Sequence, residues 1–188
     1  MPKSIPGIEH AVAAEDVLLG KVAVAPGPVV VCGGGEVGSE TADFVAQYRD
    51  DVTVIEMRDG LCLDMMPITK GAFLPMMAAS GVKSHVNATV KRIEDGVEVD
   101  TAIASWSGAA GADADSAGGY AVTFEDAEGV EHTLPAATVI SAFGYKAYNP
   151  LEEAARRHCA NVQVVGCAVQ AGNALVASRE GYEAGLAV

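Results

Sequence analysis

The stretch VVVCGGGEVGSETADF, residues 29–44, constrains this chain more than any other. Val29, Val30, Val31 and Cys32 form a short apolar run of the length and branching that suit a buried strand. Three consecutive glycines then stop it. From Glu36 onward, Val37, Thr41, Phe44, Val45 and Tyr48 recur at helical spacing. A strand that turns through glycine into a helix places the helix N-terminus at the strand's end. The amides there have no intrahelical acceptor and carry a partial positive charge.

Gly33-Gly34-Gly35-Glu36-Val37-Gly38 satisfies G-x-G-x-x-G, with a strand before it, a helix after it and another strand beyond. Gly33 permits the sharp turn, Gly35 lets a pyrophosphate approach the backbone, and Gly38 lets helix and strand pack closely. The second strand, in DVTVIEM (51–57), ends in Glu56, 18 residues past Gly38. A carboxylate there can accept both hydroxyls of an adenosine ribose and repels a 2′-phosphate, which favours NAD(H) over NADP(H). Met57 and Arg58 follow it at the ribose end of the expected site. Arg58 has two readings: a guanidinium that pairs with a 2′-phosphate, or a solvent-facing arginine that neutralises Glu56 or stacks on adenine. The alternatives for the whole turn are a ligand-free glycine loop or another nucleotide, such as S-adenosylmethionine.

The chain has 188 residues, half of them hydrophobic, enough for one large domain with a real core. Its formal net charge of −13 argues against nucleic acid or an anionic membrane as partner. It does not argue against a phosphate held by backbone amides. The opening residues lack the apolar core of a secretory signal, and no apolar run is long enough to span a bilayer, so a cytoplasmic location is expected. Cys32, Cys62, Cys159 and Cys167 form no CxxC pair and no ligand cluster, so they read as structural thiols, with no metal site expected. No hydrolytic triad accompanies the four scattered histidines, and no catalytic residue is assigned.

Along the chain, residues 1–25 read as a linker with little core of its own and one short helical pattern at 13–19. A helix is expected over 67–79, with Pro75 disturbing it, and a third strand over 82–86. From residue 89 to 134 the period changes to two. Asp95-Gly96 and Glu128-Gly129 read as turns of a β-meander, around a small, glycine-rich loop at 105–119. Further strands are expected at 138–143 and 162–166, and helices near 151–158 and from residue 174. The fold class is α/β: a Rossmann-like dinucleotide-binding domain, with a parallel sheet, helices and an inserted meander in a three-layer ββα sandwich.

These residues resemble a known group. The segments 29–57, GVKSHVNATVKRIEDGVEV and TVISAFGYKAYNPL are similar to the NAD(P)H-binding domain of the FAD-dependent pyridine nucleotide oxidoreductases. The nearest likeness is to the C-terminal part of the NADH:flavin oxidoreductases related to old yellow enzyme, the group of 2,4-dienoyl-CoA reductase, enoate reductases and trimethylamine dehydrogenase. The resemblance implies three segments: 1–25 leaving an FAD domain, 26–148 binding NAD(P), and 149–188 returning to an incomplete FAD domain. It implies a role for Glu40 in orienting the nicotinamide, against the plainer reading of a solvent-facing helix glutamate. It also implies that Gly144 marks a close passage of backbone by the cofactor. Ala147 stands where the family usually has proline. Cys167 follows Gly166 where family members carry an aspartate that contacts FAD.

The resemblance implies a nicotinamide module whose flavin half, with FAD and in relatives FMN and an iron–sulfur centre, lies outside this chain, in cis or in trans. Such a module would present NADH for hydride transfer to FAD, with electrons passing on to an organic acceptor such as an enoate or enoyl thioester. Alone it is expected to bind but not to turn over. Apolar Val164, Val165, Leu175 and Val176 would face the missing partner and favour self-association. Two other classes stay open: a stand-alone nucleotide-binding or sensing module acting through a partner protein, and, more distantly, a methyltransferase fold.

Overall fold

The computed structural model describes residues 4–99 and 119–187. The chain divides into two compact units, Met1–Gly144 and Tyr145–Val188. In the first, five parallel strands form one sheet. They are β1 (Val12–Ala13), β2 (Val29–Cys32), β3 (Val52–Ile55), β4 (Lys83–His85) and β8 (Thr138–Ser141), in the order β1-β8-β2-β3-β4. A second sheet of three antiparallel strands, β5 (Thr89–Val97), β6 (Gly119–Glu125) and β7 (Glu131–Ala136), is the expected meander.

Strand alternation builds the layers. Val29, Val31, Val52, Val54 and Ile140 point to one side. There they pack with Ala14 and Val17 of α1 (Ala14–Leu18), Ala42 and Val45 of α2 (Glu36–Ala46), and Met77 of α3 (Pro67–Ala79). Val30, Cys32, Ile55 and Val139 point to the other side, against Val90, Ile93, Val122 and Phe124 of the meander. Both faces of β2, β3 and β8 are therefore covered, which is why these strands read as unbroken apolar runs.

Four expectations need correction. Residues 4–25 carry more core than the expected linker with little core of its own. Val12 and Ala13 pair with Ile140 and Ser141, while Ile8, Ala11, Ala14, Val17 and Val24 are buried. A two-residue strand carries no period to read. Asp95-Gly96 is not a turn but lies inside β5, where the pairing with β6 shifts between Asp95 and Val97. Gly96, at φ +76°, supplies the positive φ that this irregularity uses. Residues 162–165 form no strand, since no described strand pairs with them. Nor does Pro75 disturb α3, which runs through it unbroken. Phe73, Leu74 and Met77 packed on the core outweigh the lost hydrogen bond. The glycine-rich stretch expected as a loop lies, up to residue 118, outside the described residues.

The second unit holds α4 (Glu152–Arg156) and α5 (Ala174–Leu186). Asn173 caps α5, its Oδ1 accepting the Val176 amide at 3.0 Å. Glu180 accepts the Gly166 amide at 2.6 Å. Neither helix buries a residue; Leu175 and Val176 are exposed, whereas Val164 and Val165 are half-buried.

Candidate nucleotide site

The glycine turn follows β2 at the carboxyl edge of the parallel sheet, with β3 on one side and β8 on the other. The chain proceeds from β2 outward to β3 and β4, while β8 and β1 lie on the opposite side, so the strand order reverses here. Such reversals are where open parallel sheets form ligand crevices. The turn is tied to both neighbours: Gly33 donates to the Ile55 carbonyl at 2.8 Å, and Ala142 donates to the Cys32 carbonyl at 2.8 Å.

Gly33 sits at φ +109°, and a Cβ on it would lie 2.4 Å from the Ala142 carbonyl oxygen. At Gly38 a Cβ would lie 1.9 Å from the Gly33 carbonyl oxygen. Helix α2 therefore starts in direct backbone contact with the strand end. Gly34 is closed from below, a Cβ there meeting Leu61 at 2.4 Å and Glu56 Cβ at 2.8 Å. The first-turn amides of Glu36, Val37 and Gly38 are the ones an α-helix leaves without internal acceptors. They head the 11-residue helix α2.

Glu56 is buried, with a side chain 6 % exposed. Its Oε2 accepts the Gly34 amide at 2.6 Å, and its Oε1 accepts the Arg58 amide at 2.8 Å and Arg58 Nε at 3.2 Å. The carboxylate thus braces the glycine turn and carries its own counterion. Met57 is exposed. Val37 is half-buried and packs on the helix-side core. Glu40 is exposed on α2, where partial desolvation and then the Glu36 charge raise its carboxyl above the ordinary range. Gly144, at φ +82°, lies beyond β8, two residues past the Ala142 that touches Gly33.

The structure brings four more residues to the turn. Cys62 donates its amide to the Gly34 carbonyl at 2.8 Å, and Ser39 Oγ donates to the same oxygen at 3.1 Å. Cys62 holds φ at +51°, an uncommon conformation for a residue with a side chain. Leu61 packs under Gly34, and Asp64 Oδ1 accepts the Glu36 amide at 3.0 Å. All but Ser39 come from the loop 58–66, which carries no periodic signal in the sequence.

As a fit for a dinucleotide, the turn offers a Cβ-free approach at Gly35, where the nearest atoms to a Cβ are side-chain atoms of Asp64. The fit for FAD is different. Cys167, whose thiol approaches the Gly172 carbonyl, stands where the resemblance implies a carboxylate, so this position does not offer FAD that acid.

A five-stranded parallel sheet, a three-stranded meander and this turn define a Rossmann-like dinucleotide-binding domain. The family model described as pyridine nucleotide-disulphide oxidoreductase matches residues 2–165, and the chain belongs to that family of FAD/NAD(P)-dependent oxidoreductases. It is similar to an NADH oxidase of Thermoanaerobacter brockii, 37% identical over 79 residues, which cover 42% of this chain and 12% of that protein. A dihydrolipoyl dehydrogenase of Acholeplasma laidlawii is 31% identical over 70 residues, 37% of this chain and 21% of the other. Among solved structures, 2-naphthoyl-CoA reductase in complex with 2-naphthoyl-CoA superposes on 100% of the chain with TM-score 0.74 and 27% identity. The chain covers 25% of that structure. Histamine dehydrogenase from Rhizobium sp. 4-9 shares the fold, with TM-score 0.66 and 13% identity over 96% of this chain and 26% of that one. The matched stretches thus cover 12% and 21% of the two curated relatives, and the chain covers a quarter of 2-naphthoyl-CoA reductase. Among the described residues no helix is long and apolar enough to cross a membrane.

Proposed function

We propose that this chain is the module that binds NADH and presents it for hydride transfer to FAD held elsewhere, electrons then passing to an organic acceptor such as an enoate or enoyl thioester. The observation that carries the reading is the turn itself. Gly33 and Gly38 are in backbone contact, and the acid at the end of the neighbouring strand, Glu56, is bonded to Gly34. The nicotinamide supplies the hydride when bound; the chain's residues bind and orient. In this reading Gly33, Gly34, Gly35, Glu36, Val37 and Gly38 hold the pyrophosphate. Glu56, Met57 and Arg58 line the adenosine ribose, and Glu40 and Gly144 lie toward the nicotinamide. The names NADH oxidase and 2-naphthoyl-CoA reductase, borne by similar proteins, support the donor and the thioester class of acceptor in turn.

The test is a parallel calorimetric titration of the purified chain with NADH, NADPH and FAD. NADH binding alone is the expected outcome. FAD binding alone would assign the turn to the other dinucleotide. Robust NADH oxidation by the chain without an added flavoprotein would refute the division of labour.

A further inference from the structure

The phosphate end of the turn already holds an anion that belongs to the chain. Oδ1 of Asp64 accepts the Glu36 amide at 3.0 Å. Its Oδ2 and Oδ1 lie 3.1 and 3.4 Å from the point a Gly35 Cβ would occupy. That point is the opening through which a pyrophosphate would reach the backbone. A carboxylate and a phosphate are both acceptor-rich anions drawn to a helix N-terminus, so the two are alternatives for the same amides.

The two acids beside the turn differ in how firmly they are held. Glu56 is 6 % exposed and is bonded to Gly34 and Arg58, so it stays. Asp64 is 53 % exposed and lies in the irregular loop 58–66, so water can take over its contacts as it leaves. Arg58 stands between them, its Nε 3.2 Å from Glu56 Oε1 and its terminal nitrogen 3.9 Å from Asp64 Oδ1. When Asp64 departs, that terminal nitrogen loses a carboxylate partner and is available to a ligand.

Resting on the dinucleotide reading above, we propose that Asp64 is a built-in competitor for the phosphate end of the site. It caps α2 in the free protein, must be displaced by the nucleotide, and thereby sets its affinity and releases Arg58 toward it. Asp64 acts through the amides and Arg58, and is a positioning residue rather than a catalytic one.

Asp64→Asn tests this, because the amide keeps an acceptor of the same shape for the Glu36 amide while removing the charge. Asp64→Ser, with a shorter uncharged acceptor, serves if the first variant folds poorly. NADH is titrated into wild type and variant by calorimetry at low and high salt. Both variants should bind roughly fivefold tighter than wild type at low salt, the size of one solvent-screened unit repulsion at about 4 Å. The gap should shrink at high salt, which loss of a purely structural cap would not produce. In wild type, the Glu36 amide resonance should also move on binding. Equal or weaker binding by both variants, with wild type still binding NADH, overturns the competitor role and leaves the dinucleotide reading standing. Failure of all three proteins to bind NADH overturns both.

Discussion

The Glu56 carboxylate accepts the Gly34 amide at 2.6 Å, so the end of β3 is fastened to the middle of the glycine turn that follows β2. Both groups are buried, so removing the acceptor leaves the Gly34 amide without its partner. Glu56→Ala should therefore cost about 1–3 kcal/mol of stability, the penalty of one stranded buried donor. Urea denaturation measures it. A loss within experimental scatter would mean that the turn is held by its other bonds, to Ile55 and Cys62.

Two glycines in helices should respond oppositely to alanine. At Gly38 the new methyl would fall 1.9 Å from a backbone oxygen, and backbone cannot step aside as a side chain can. Gly38→Ala should destabilise by about 3 kcal/mol or more, at the high end for overpacking. Gly71 lies inside α3, and a Cβ there meets nothing within 4 Å. Gly71→Ala should stabilise by roughly 0.5–1 kcal/mol, since alanine loses less backbone freedom in a helix. Thermal melts of the pair, side by side, separate packing from propensity.

The contrast between those glycines also marks what the sequence makes legible. The task at Gly38 is set by the Gly33 carbonyl five residues earlier, so a local pattern announces it, whereas the crowding at Gly33 comes from Ala142, over a hundred residues later. The helix bounds Pro67–Ala79 follow equally from a local apolar pattern, with proline at its start and glycine soon after its end. Asp64, Leu61 and Cys62 reach the turn only because β3 and β2 are paired, and nothing within the loop 58–66 signals that meeting. The same holds for Val12–Ala13, whose strand character comes from β8, over a hundred residues later. Asp95-Gly96 misleads for the opposite reason. Its composition suits a turn, but its neighbours continue to pair with β6, and pairing decides.

The thiols divide by burial. Cys32 is fully enclosed between the sheet layers, and burial pushes its thiol up to about 12; burial also raises Cys62. Cys159 and Cys167 are exposed and free. A colorimetric thiol reagent at pH 8 should label two thiols per native chain quickly and the other two only after unfolding. The same shift has a pH sign. Above the ordinary thiol value of 9.0 the unfolded chain releases the Cys32 proton while the folded chain keeps it, up to about 12. Stability should therefore fall through that window, by at most about 1.4 kcal/mol per pH unit from this group. Cys32→Ala should flatten that part of the profile.

Coenzyme preference should follow from how Arg58 is already engaged. Its Nε is bonded to the buried Glu56 carboxylate, which stays in place, so the guanidinium meets a ligand partly neutralised. A 2′-phosphate arriving there would gain little from Arg58 and would face the Glu56 charge, whereas ribose hydroxyls can donate to a carboxylate. NADH should therefore bind the chain more tightly than NADPH. Arg58→Ala removes a side-chain cation bonded to Glu56 and should weaken NADPH more than NADH, widening the ratio. With Arg58 43 % exposed and solvent-screened, the change should be about three- to tenfold rather than orders of magnitude. Competition titrations of both coenzymes against wild type and variant measure it. Tighter binding of NADPH by the wild type would mean that Arg58 turns from Glu56 to the 2′-phosphate, and that the acid ending β3 serves the glycine turn and not the ribose.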